Sequence, residues 1–328
     1  MKHVKRLLAV IMTVILLGSL AACGGGSSSS DSSKDEKEKL TVAFQYGMAY
    51  APLQVMQEQK LIEKHYENVE VEWSTLNSGS AINEGFASGS IDVGAMGLGP
   101  AITGVTSGVP YKIFANMSAQ PHRIMTNKAN IKSLKDIKKE KIALVNIGSF
   151  QHILLAMAAK DQLGDAHALD NNIVAMAHPD GMAALIAGSV ECQLTTSPYV
   201  FKEEKEDGIS EVEALQSVWP SGNSFIVGVA STELKEKNPG LYDAVVAAME
   251  DAIKYLNENK EEAAEMLCEN EDVDAATMLQ WLNDESCVYT TEAKGIMDFA
   301  NFMAENGFLE NDGPKALSDL AFDNVKGN

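Results

Sequence analysis

The feature that most constrains the fold is an alternation of short apolar strand patterns with helical patterns along residues 40–230. Leu40–Tyr46, Ile91–Ala95 and Lys141–Asn146 are rich in strand-forming residues, and a helical pattern that begins with Gly, Ser or Pro follows each of them. Such units form a mostly parallel sheet covered by helices. The pattern starts again near Ile131, and beyond about residue 240 it indicates helices to the end. We therefore predict an α/β fold of two lobes with a helical C-terminal segment.

The order of these patterns also predicts how the chain divides between the lobes. We expect residues 40–122 together with 226–328 to form lobe 1, and residues 123–225 to form lobe 2. In parallel α/β sheets, ligands bind beyond the carboxyl ends of the strands. In two lobes those ends can face one cleft, which then closes on a ligand by a hinge motion.

The first residues predict export from the cytoplasm. Lys2, Lys5 and Arg6 precede an apolar run, Leu7–Leu17, that is short for a membrane span, and small residues follow up to Cys23. The Leu-Ala-Ala-Cys sequence that ends at Cys23 resembles the bacterial lipobox. This resemblance implies a lipoprotein signal peptide over residues 1–22, cleavage before Cys23 and a lipid on its thiol. An ordinary signal peptide with an incidental cysteine is the alternative.

The segment that follows the signal is predicted to be a tether. Residues 23–39 consist almost entirely of Gly, Ser and charged residues, which cannot bury enough apolar surface to become ordered. We expect a flexible, lipid-anchored linker that holds the folded part outside the cytoplasm, on the cell membrane.

Composition excludes several classes of protein. The 328 residues suggest about two domains, and a net charge of −20 makes nucleic-acid binding a poor prospect. Four cysteines are too few for a disulfide scaffold, although Cys268 and Cys287 could either pair outside the cytoplasm or remain free thiols. The acidic runs at Glu203–Glu204 and Glu269–Asp274 are most simply explained as solvated surfaces.

Catalytic and cofactor-binding motifs are missing from the sequence. Ser149 and His152 lie three residues apart, but the flanking glycines of a G-x-S-x-G nucleophile turn are absent. The sequence contains no G-x-G-x-x-G, no P-loop and no H-E-x-x-H motif. We therefore predict that the protein is not an enzyme and that it binds neither a cofactor nor a metal.

Three stretches resemble the solute-binding proteins of bacterial ABC importers, in the group for aliphatic sulfonates, taurine, nitrate and thiamine precursors. Ile82–Pro110 resembles that group's run of helix, strand, glycine turn and helix. Ile131–His152 resembles a run that ends in Gly-Ser-x-x-His, and Asp180–Tyr199 one that ends in Pro-Tyr. The resemblance extends over about residues 40–320.

The resemblance implies a periplasmic-binding-protein-like (type II) fold and a receptor role. Such a receptor captures a small organic solute, sulfonate- or taurine-like, in the cleft and delivers it to an ABC permease and its ATPase. We expect it to act as a monomer. A receptor for a thiamine-precursor pyrimidine or another heterocycle is the main alternative. A lipoprotein without a transport role, or a hydrolase that uses Ser149 and His152, is a weaker one.

Candidate ligand-binding residues lie mainly where predicted strands end and helices begin. They are Gln45, Tyr46, Tyr50, Ser78, Gly97, Gly99, Gly148, Ser149, His152, Ser197 and Tyr199. Exposed N–H groups and the helix dipole at Gly148–Ser149 suit an anionic or polar ligand group. Ser149 could equally serve as a simple N-cap.

Two further candidates lie near the predicted crossings between the lobes. Arg123 is the only arginine beyond Arg6, so it alone could offer a guanidinium to a sulfonate. Trp219 could stack on a flat ligand, or could pack within the protein. Because so acidic a chain attracts no anion at long range, we expect a zwitterion, a neutral heterocycle or a sulfonate held by backbone amides rather than a free anion such as nitrate.

Overall fold

Two mixed β-sheets organise residues 37–328, the part of the chain that the computed structural model describes. We call the part built on the six-stranded sheet lobe 1 and the part built on the five-stranded sheet lobe 2. The predicted signal peptide, Cys23 and the tether up to residue 36 lie outside the described residues.

The elements alternate as follows. The first stretch contains β1 (Glu38–Phe44), α1 (Ala51–Glu58), α2 (Leu61–His65), β2 (Val69–Thr75), α3 (Gly79–Ser88), β3 (Val93–Gly97), α4 (Leu98–Thr106) and β4 (Tyr111–Ala119). The second contains β5 (His122–Thr126), β6 (Ile142–Leu144), α5 (Phe150–Leu163), β7 (Ile173–Ala175), α6 (His178–Ile186), β8 (Cys192–Thr196), α7 (Tyr199–Glu203) and β9 (Ser210–Val212). The third contains β10 (Ile226–Ser231), α8 (Thr232–Lys237), α9 (Pro239–Glu258), α10 (Lys260–Leu267), α11 (Ala275–Leu282), β11 (Val288–Tyr289), α12 (Ile296–Glu305) and α13 (Leu317–Leu320).

The strand order explains why the sheets are mixed rather than mostly parallel. Lobe 1 has the order β11-β4-β10-β3-β1-β2 and lobe 2 the order β7-β6-β8-β5-β9. Strand β10 runs antiparallel to β3 and β4, and β5 runs antiparallel to β8 and β9. Both are the strands by which the chain enters a lobe after crossing the cleft. A strand that enters from the carboxyl edge of its neighbours must run against them.

The α/β fold class is confirmed, while several predicted element bounds need correction. The segment after residue 230 is not helical throughout, because β11 pairs with β4 and α12 begins only at Ile296. Strand β1 begins at Glu38, inside the predicted tether. The backbone of Glu38 pairs with Val69, and its carboxylate accepts a hydrogen bond from the Tyr66 hydroxyl at 2.8 Å. The lobe bounds 40–122 with 226–328, and 123–225, stay a prediction.

An aromatic cluster lies where the lobes meet. Phe150, at the start of α5 in lobe 2, packs on Phe225 at 4.8 Å and on Phe299 of α12 at 4.9 Å between ring centroids. Phe150 and Phe299 are almost completely buried. Burying aromatic rings of this size fixes the start of α5 against lobe 1. The position of the helix N-terminus is therefore set by packing across the lobes.

Two further findings concern the pairing of the cysteines and the length of the helices. Cys192, Cys268 and Cys287 are free thiols, so Cys268 and Cys287 form no disulfide bond in this structure. Within residues 37–328, no helix has the length and apolar character needed to cross a bilayer.

Candidate ligand-binding cleft

A cavity of about 320 Å³ lies between the two lobes, and both of them contribute to its wall. Its residues from lobe 1 and the crossing strands include Gln45, Tyr46, Gly47, Tyr50, Asn77, Gly79, Gly97, Pro100, Phe225 and Glu271. Those from lobe 2 include Asn146, Ser149, Phe150, Gln151, His178, Thr196, Ser197 and Tyr199. Tyr46, 69 % exposed, lies at the open side, whereas Tyr50 is 6 % exposed. The volume suits a small organic molecule.

Several helix N-termini lie at the cavity wall. Gly79 starts α3, Gly97 is the N-cap of α4, Phe150 starts α5 and His178 starts α6, and all four residues line the cavity. The first N–H groups of a helix have no partner within the helix, and its dipole places partial positive charge there. This arrangement can bind an anionic or hydrogen-bond-accepting group without a cationic side chain.

The Ser149 turn is built by its own local hydrogen bonds. The Ser149 hydroxyl oxygen accepts from the backbone N–H of His152 at 3.2 Å, which makes it the N-cap of α5. Gly148 donates its N–H to Nδ1 of the His152 ring at 3.0 Å, so the other ring nitrogen, Nε2, carries the hydrogen and faces Asp170 at 3.4 Å. The imidazole therefore supports the turn from behind and does not contact the Ser149 hydroxyl, as a hydrolytic pair would require.

His178 and Tyr199 form a flat polar surface on the lobe 2 side. Their rings stack with centroids 5.6 Å apart, and His178 Nδ1 lies 3.3 Å from the Thr195 hydroxyl. Burial lowers the pKa of His178 to about 4, so its imidazole is neutral at pH 7. Burial likewise raises the pKa of the Tyr199 hydroxyl to about 12. The pair offers aromatic surface and neutral hydrogen-bonding groups.

Neutral polar side chains occupy much of the remaining wall. The Thr196 hydroxyl is buried and has no hydrogen-bond partner within the described chain, and Ser197 donates its hydroxyl to Gln120 Oε1 at 2.6 Å. Gln151 is only 3 % exposed. Buried polar groups that lack partners lose free energy of hydration, which a polar ligand can restore.

Among residues 37–328, Glu271 is the one acidic residue that lines the cavity, and no lysine or arginine lines it. Burial raises the pKa of its carboxyl group to about 7, although the nearby Lys202 ammonium partly opposes that shift. Lys202 itself donates to the main-chain oxygen of Glu271 at 2.9 Å. From the sequence we predict that the two acidic runs, Glu203–Glu204 and Glu269–Asp274, are solvated. That prediction is wrong for Glu271, which is 8 % exposed, and for Glu203, which is fully buried.

Seven of the predicted site residues line the cavity. They are Gln45, Tyr46, Tyr50, Gly97, Ser149, Ser197 and Tyr199. Four others lie directly behind the wall. Ser78 caps α3 by accepting from the Ala81 N–H at 3.2 Å, His152 supports the Ser149 turn together with Gly148, and Gly99 packs against that turn.

The two candidates near the crossings are placed elsewhere. Arg123 lies on β5, where its guanidinium pairs with Glu204 and lies 3.5 Å from Glu211. The Trp219 ring packs edge-on against Phe150 at 5.8 Å and Phe299 at 5.2 Å. The structure therefore gives Arg123 a structural ion pair and Trp219 a packing role, and neither residue lines the cavity.

Several residues of the cavity wall were not predicted from the sequence. Asn77, Asn146, His178 and Thr196 lie at or just after strand ends, so a stricter use of the carboxyl-end rule would have included them. Glu271 carried no such signal, because it follows no strand and its contact with Lys202 of the other lobe joins residues 69 positions apart.

The two α/β lobes and the solute-sized cleft between them define a periplasmic-binding-protein-like (type II) protein. The chain belongs to the NMT1-like family, whose sequence profile matches residues 33–269. The resemblance to solute-binding proteins stated from the sequence is thereby confirmed.

Named relatives agree with this assignment. An aliphatic sulfonates-binding protein of Escherichia coli (strain K12) is 23 % identical over 249 residues, which cover 75 % of this chain and 76 % of that protein. The crystal structure of the periplasmic aliphatic sulphonate binding protein SsuA from Escherichia coli covers 88 % of this chain and 93 % of its own, with a TM-score of 0.68 at 20 % identity. The alkanesulfonate-binding protein SsuA from Xanthomonas axonopodis pv. citri, bound to MOPS, covers 88 % and 99 %, with a TM-score of 0.71 at 16 % identity. At these identities the structural likeness establishes the fold.

Proposed function

We propose that this protein is the solute-binding component of an ABC importer and that it holds a small organic solute, sulfonate- or taurine-like, in the cavity between its lobes. The observation that carries the proposal is the cavity itself, which is lined by both lobes, by helix N-termini and by neutral polar groups. The named sulfonate-binding relatives support the solute class.

Binding and hinge closure, without bond chemistry, account for the mechanism. An added Cβ at Gly99 would lie 2.7 Å from the Gly148 oxygen of lobe 2, and one at Gly47 would lie 3.6 Å from the Ser197 oxygen. The lobes thus approach each other closely at two places. Closure around a solute excludes water and strengthens each polar contact inside.

The cellular setting belongs to the same proposal. The lipid on Cys23 would hold the protein outside the cytoplasm on the membrane, where it would pass its solute as a monomer to a permease driven by an ATPase. No nucleic acid and no catalytic turnover are part of this role.

A heterocyclic ligand, such as a thiamine-precursor pyrimidine, is a second candidate. The stacked His178 and Tyr199 rings favour it, since a flat ring can lie against aromatic surface.

A thermal-shift screen of the purified protein tests the proposal. The panel holds taurine, alkanesulfonates, nitrate, bicarbonate, pyrimidine precursors and amino acids. A ligand at 100 times its dissociation constant adds about 2.7 kcal/mol, and each kcal/mol moves the midpoint by roughly 2–4 °C in a chain of this size. One chemical class should raise the midpoint by several degrees. A folded protein that responds to no member of the panel would contradict the proposed solute classes.

A further inference from the structure

We infer that Glu271 selects for a solute that carries an N–H donor, either a protonated amine or the amino group of a heterocycle. The inference rests on the proposed function and names the chemistry that its cavity prefers. Glu271 lies in the short turn between α10 and α11, two residues beyond the part of the chain that the family profile matches.

The carboxylate of Glu271 is buried, yet it remains accessible from the cavity. The residue is 8 % exposed and belongs to the wall. No residue in the described part of the chain donates a hydrogen bond to its two oxygens, and these oxygens are not sealed from solvent as those of Glu203 are. Because Glu271 lines the cavity, we infer that its accessible oxygens face the cavity, where a ligand can reach them.

No described residue of the wall neutralises this carboxylate, since no lysine or arginine of that part of the chain lines the cavity. The nearest cation, Lys202, directs its ammonium to the main-chain oxygen of Glu271 and lies over the rings of Tyr199 (5.6 Å) and Trp281 (5.8 Å). A buried carboxylate without a partner is costly, and burial accordingly raises its pKa. An N–H donor from a ligand would supply the missing hydrogen bond and, if protonated, the opposite charge.

The rest of the wall complements that preference. The N-termini of α3, α4, α5 and α6 favour an acceptor or anionic group on the ligand. A cavity with these helix ends and one carboxylate suits a ligand that has an acceptor end and an N–H end. A plain alkanesulfonate satisfies only the helix ends and leaves Glu271 facing a methyl group.

Two matched pairs of probes test the inference by calorimetric titration. Taurine is compared with propane-1-sulfonate, and 4-amino-2,5-dimethylpyrimidine with 2,4,5-trimethylpyrimidine, so that a methyl group replaces the nitrogen in each pair. In at least one pair the nitrogen-bearing member should bind about 10- to 100-fold more tightly, which is the range of a hydrogen bond to a charged group. Preference within the first pair identifies an ammonium ligand, and preference within the second identifies an amino heterocycle.

Variants at the turn assign any preference to Glu271. Glu271→Leu should abolish the preference. Glu271→Gln keeps an acceptor oxygen but loses the charge, so it should reduce the preference more for the ammonium than for the neutral amino group. Glu269→Gln, on the same turn but exposed, should leave the affinity ratio unchanged. Thermal midpoints show whether Glu271→Leu folds. If it does not, the affinity ratios of Glu271→Gln decide whether Glu271 causes the preference.

The outcomes separate the inference from the function beneath it. Equal affinities within both pairs, or a preference that survives in folded Glu271→Leu, would overturn the role of Glu271 and leave the solute-binding function standing. A folded wild-type protein that binds none of the four probes would contradict the proposed solute classes, and the inference with them.

Discussion

Glu271 and Glu203 are both buried carboxyl groups near α7, but they differ in what their oxygens can reach. Glu203 is fully buried, and both of its oxygens are sealed without a partner within the described residues. Glu271 opens onto the cavity. Within residues 37–328, the neighbouring Lys202 forms an ion pair with neither carboxylate. Its ammonium donates to the main-chain oxygen of Glu271 instead.

The contrast separates the cavity wall from the layer behind it. A residue of the wall can exchange its hydrogen bonds with water or with a ligand, so its substitution should change binding. A residue behind the wall has partners within the protein or none, so its substitution should change stability. Serines and charged residues occur in both places, which provides matched pairs for experiment.

Glu203→Gln should produce the largest change in stability. Burial raises the pKa of Glu203 to about 8, well above its unfolded value of 4.5. Between those pH values the folded state holds a proton that the unfolded state has released, so stability falls as the pH rises. We expect wild type to lose roughly 2–4 kcal/mol from this group between pH 5 and 8. Urea unfolding at several pH values should give a flatter profile for the variant.

Glu271 contributes a smaller loss over a narrower range, because its pKa is raised only to about 7. Ligand affinity should be unchanged in Glu203→Gln at pH 7. Parallel stability profiles for the variant and wild type would mean that Glu203 does not hold a proton in the folded state.

Gly99→Ala should weaken ligand binding next most strongly. Its methyl group would lie 2.7 Å from the Gly148 oxygen and 3.1 Å from the Ser149 carbonyl carbon, and neither backbone group can turn away as a flexible side chain could. Overpacking of this kind costs about 1–3 kcal/mol. Here it would destabilise the conformation in which the lobes are close together, so ligand binding should be roughly 5- to 150-fold weaker. Titration with the tightest probe measures the effect.

Gly240→Ala is the control for that experiment, since its nearest neighbour would be 3.7 Å away at the start of α9. If Gly99→Ala binds as tightly as Gly240→Ala, the lobes do not need to approach as closely as we describe.

Ser149→Ala and Ser78→Ala form the clearest pair of wall and backing residues. Both serines cap a helix by accepting a backbone N–H at 3.2 Å, so each variant should lose about 1 kcal/mol of stability. Only Ser149 lines the cavity, so only Ser149→Ala should also lose affinity, by roughly 2- to 10-fold. Unfolding and titration on the same samples separate the two effects, and equal losses of affinity would contradict the distinction.

Arg123→Gln should have the smallest effect. Its ion pair is partly exposed, with 28 % of the Arg123 and 36 % of the Glu204 side chain accessible, and such pairs contribute about 0–1 kcal/mol. Because Arg123 does not line the cavity, the affinity for taurine and propane-1-sulfonate should remain that of wild type. A tenfold loss of affinity for a sulfonate would show that the guanidinium does reach the ligand.

The residues at strand ends were the part of the site that sequence patterns could predict. Gly97 ends a strand and caps α4, and Ser149 follows a strand and caps α5; the carboxyl-end rule places such turns at a cleft. That rule needs only the succession of strand, turn and helix along the chain. Arg123 and Trp219 were assigned from residue type and from their places near the predicted crossings, but their roles depend on partners about 80 residues away. Glu271 could not be distinguished from its exposed neighbours, since its contact with Lys202 joins residues 69 positions apart.

The fold likewise has features that local sequence patterns predict and features that depend on long-range contacts. The helices and most strands follow from apolar periodicity, whereas the directions of β5 and β10 follow from how the chain crosses between lobes. The five-residue β5 and the two-residue β11 are too short to show a period of their own.

A crystal structure grown with the solute that gives the largest thermal shift tests the central claim most directly. We predict one solute molecule in the cavity between the lobes, with an acceptor group at the start of α5 near Ser149 and a nitrogen within hydrogen-bond distance of the Glu271 carboxylate. A solute bound elsewhere on the protein, with this cavity filled only by water, would contradict the account.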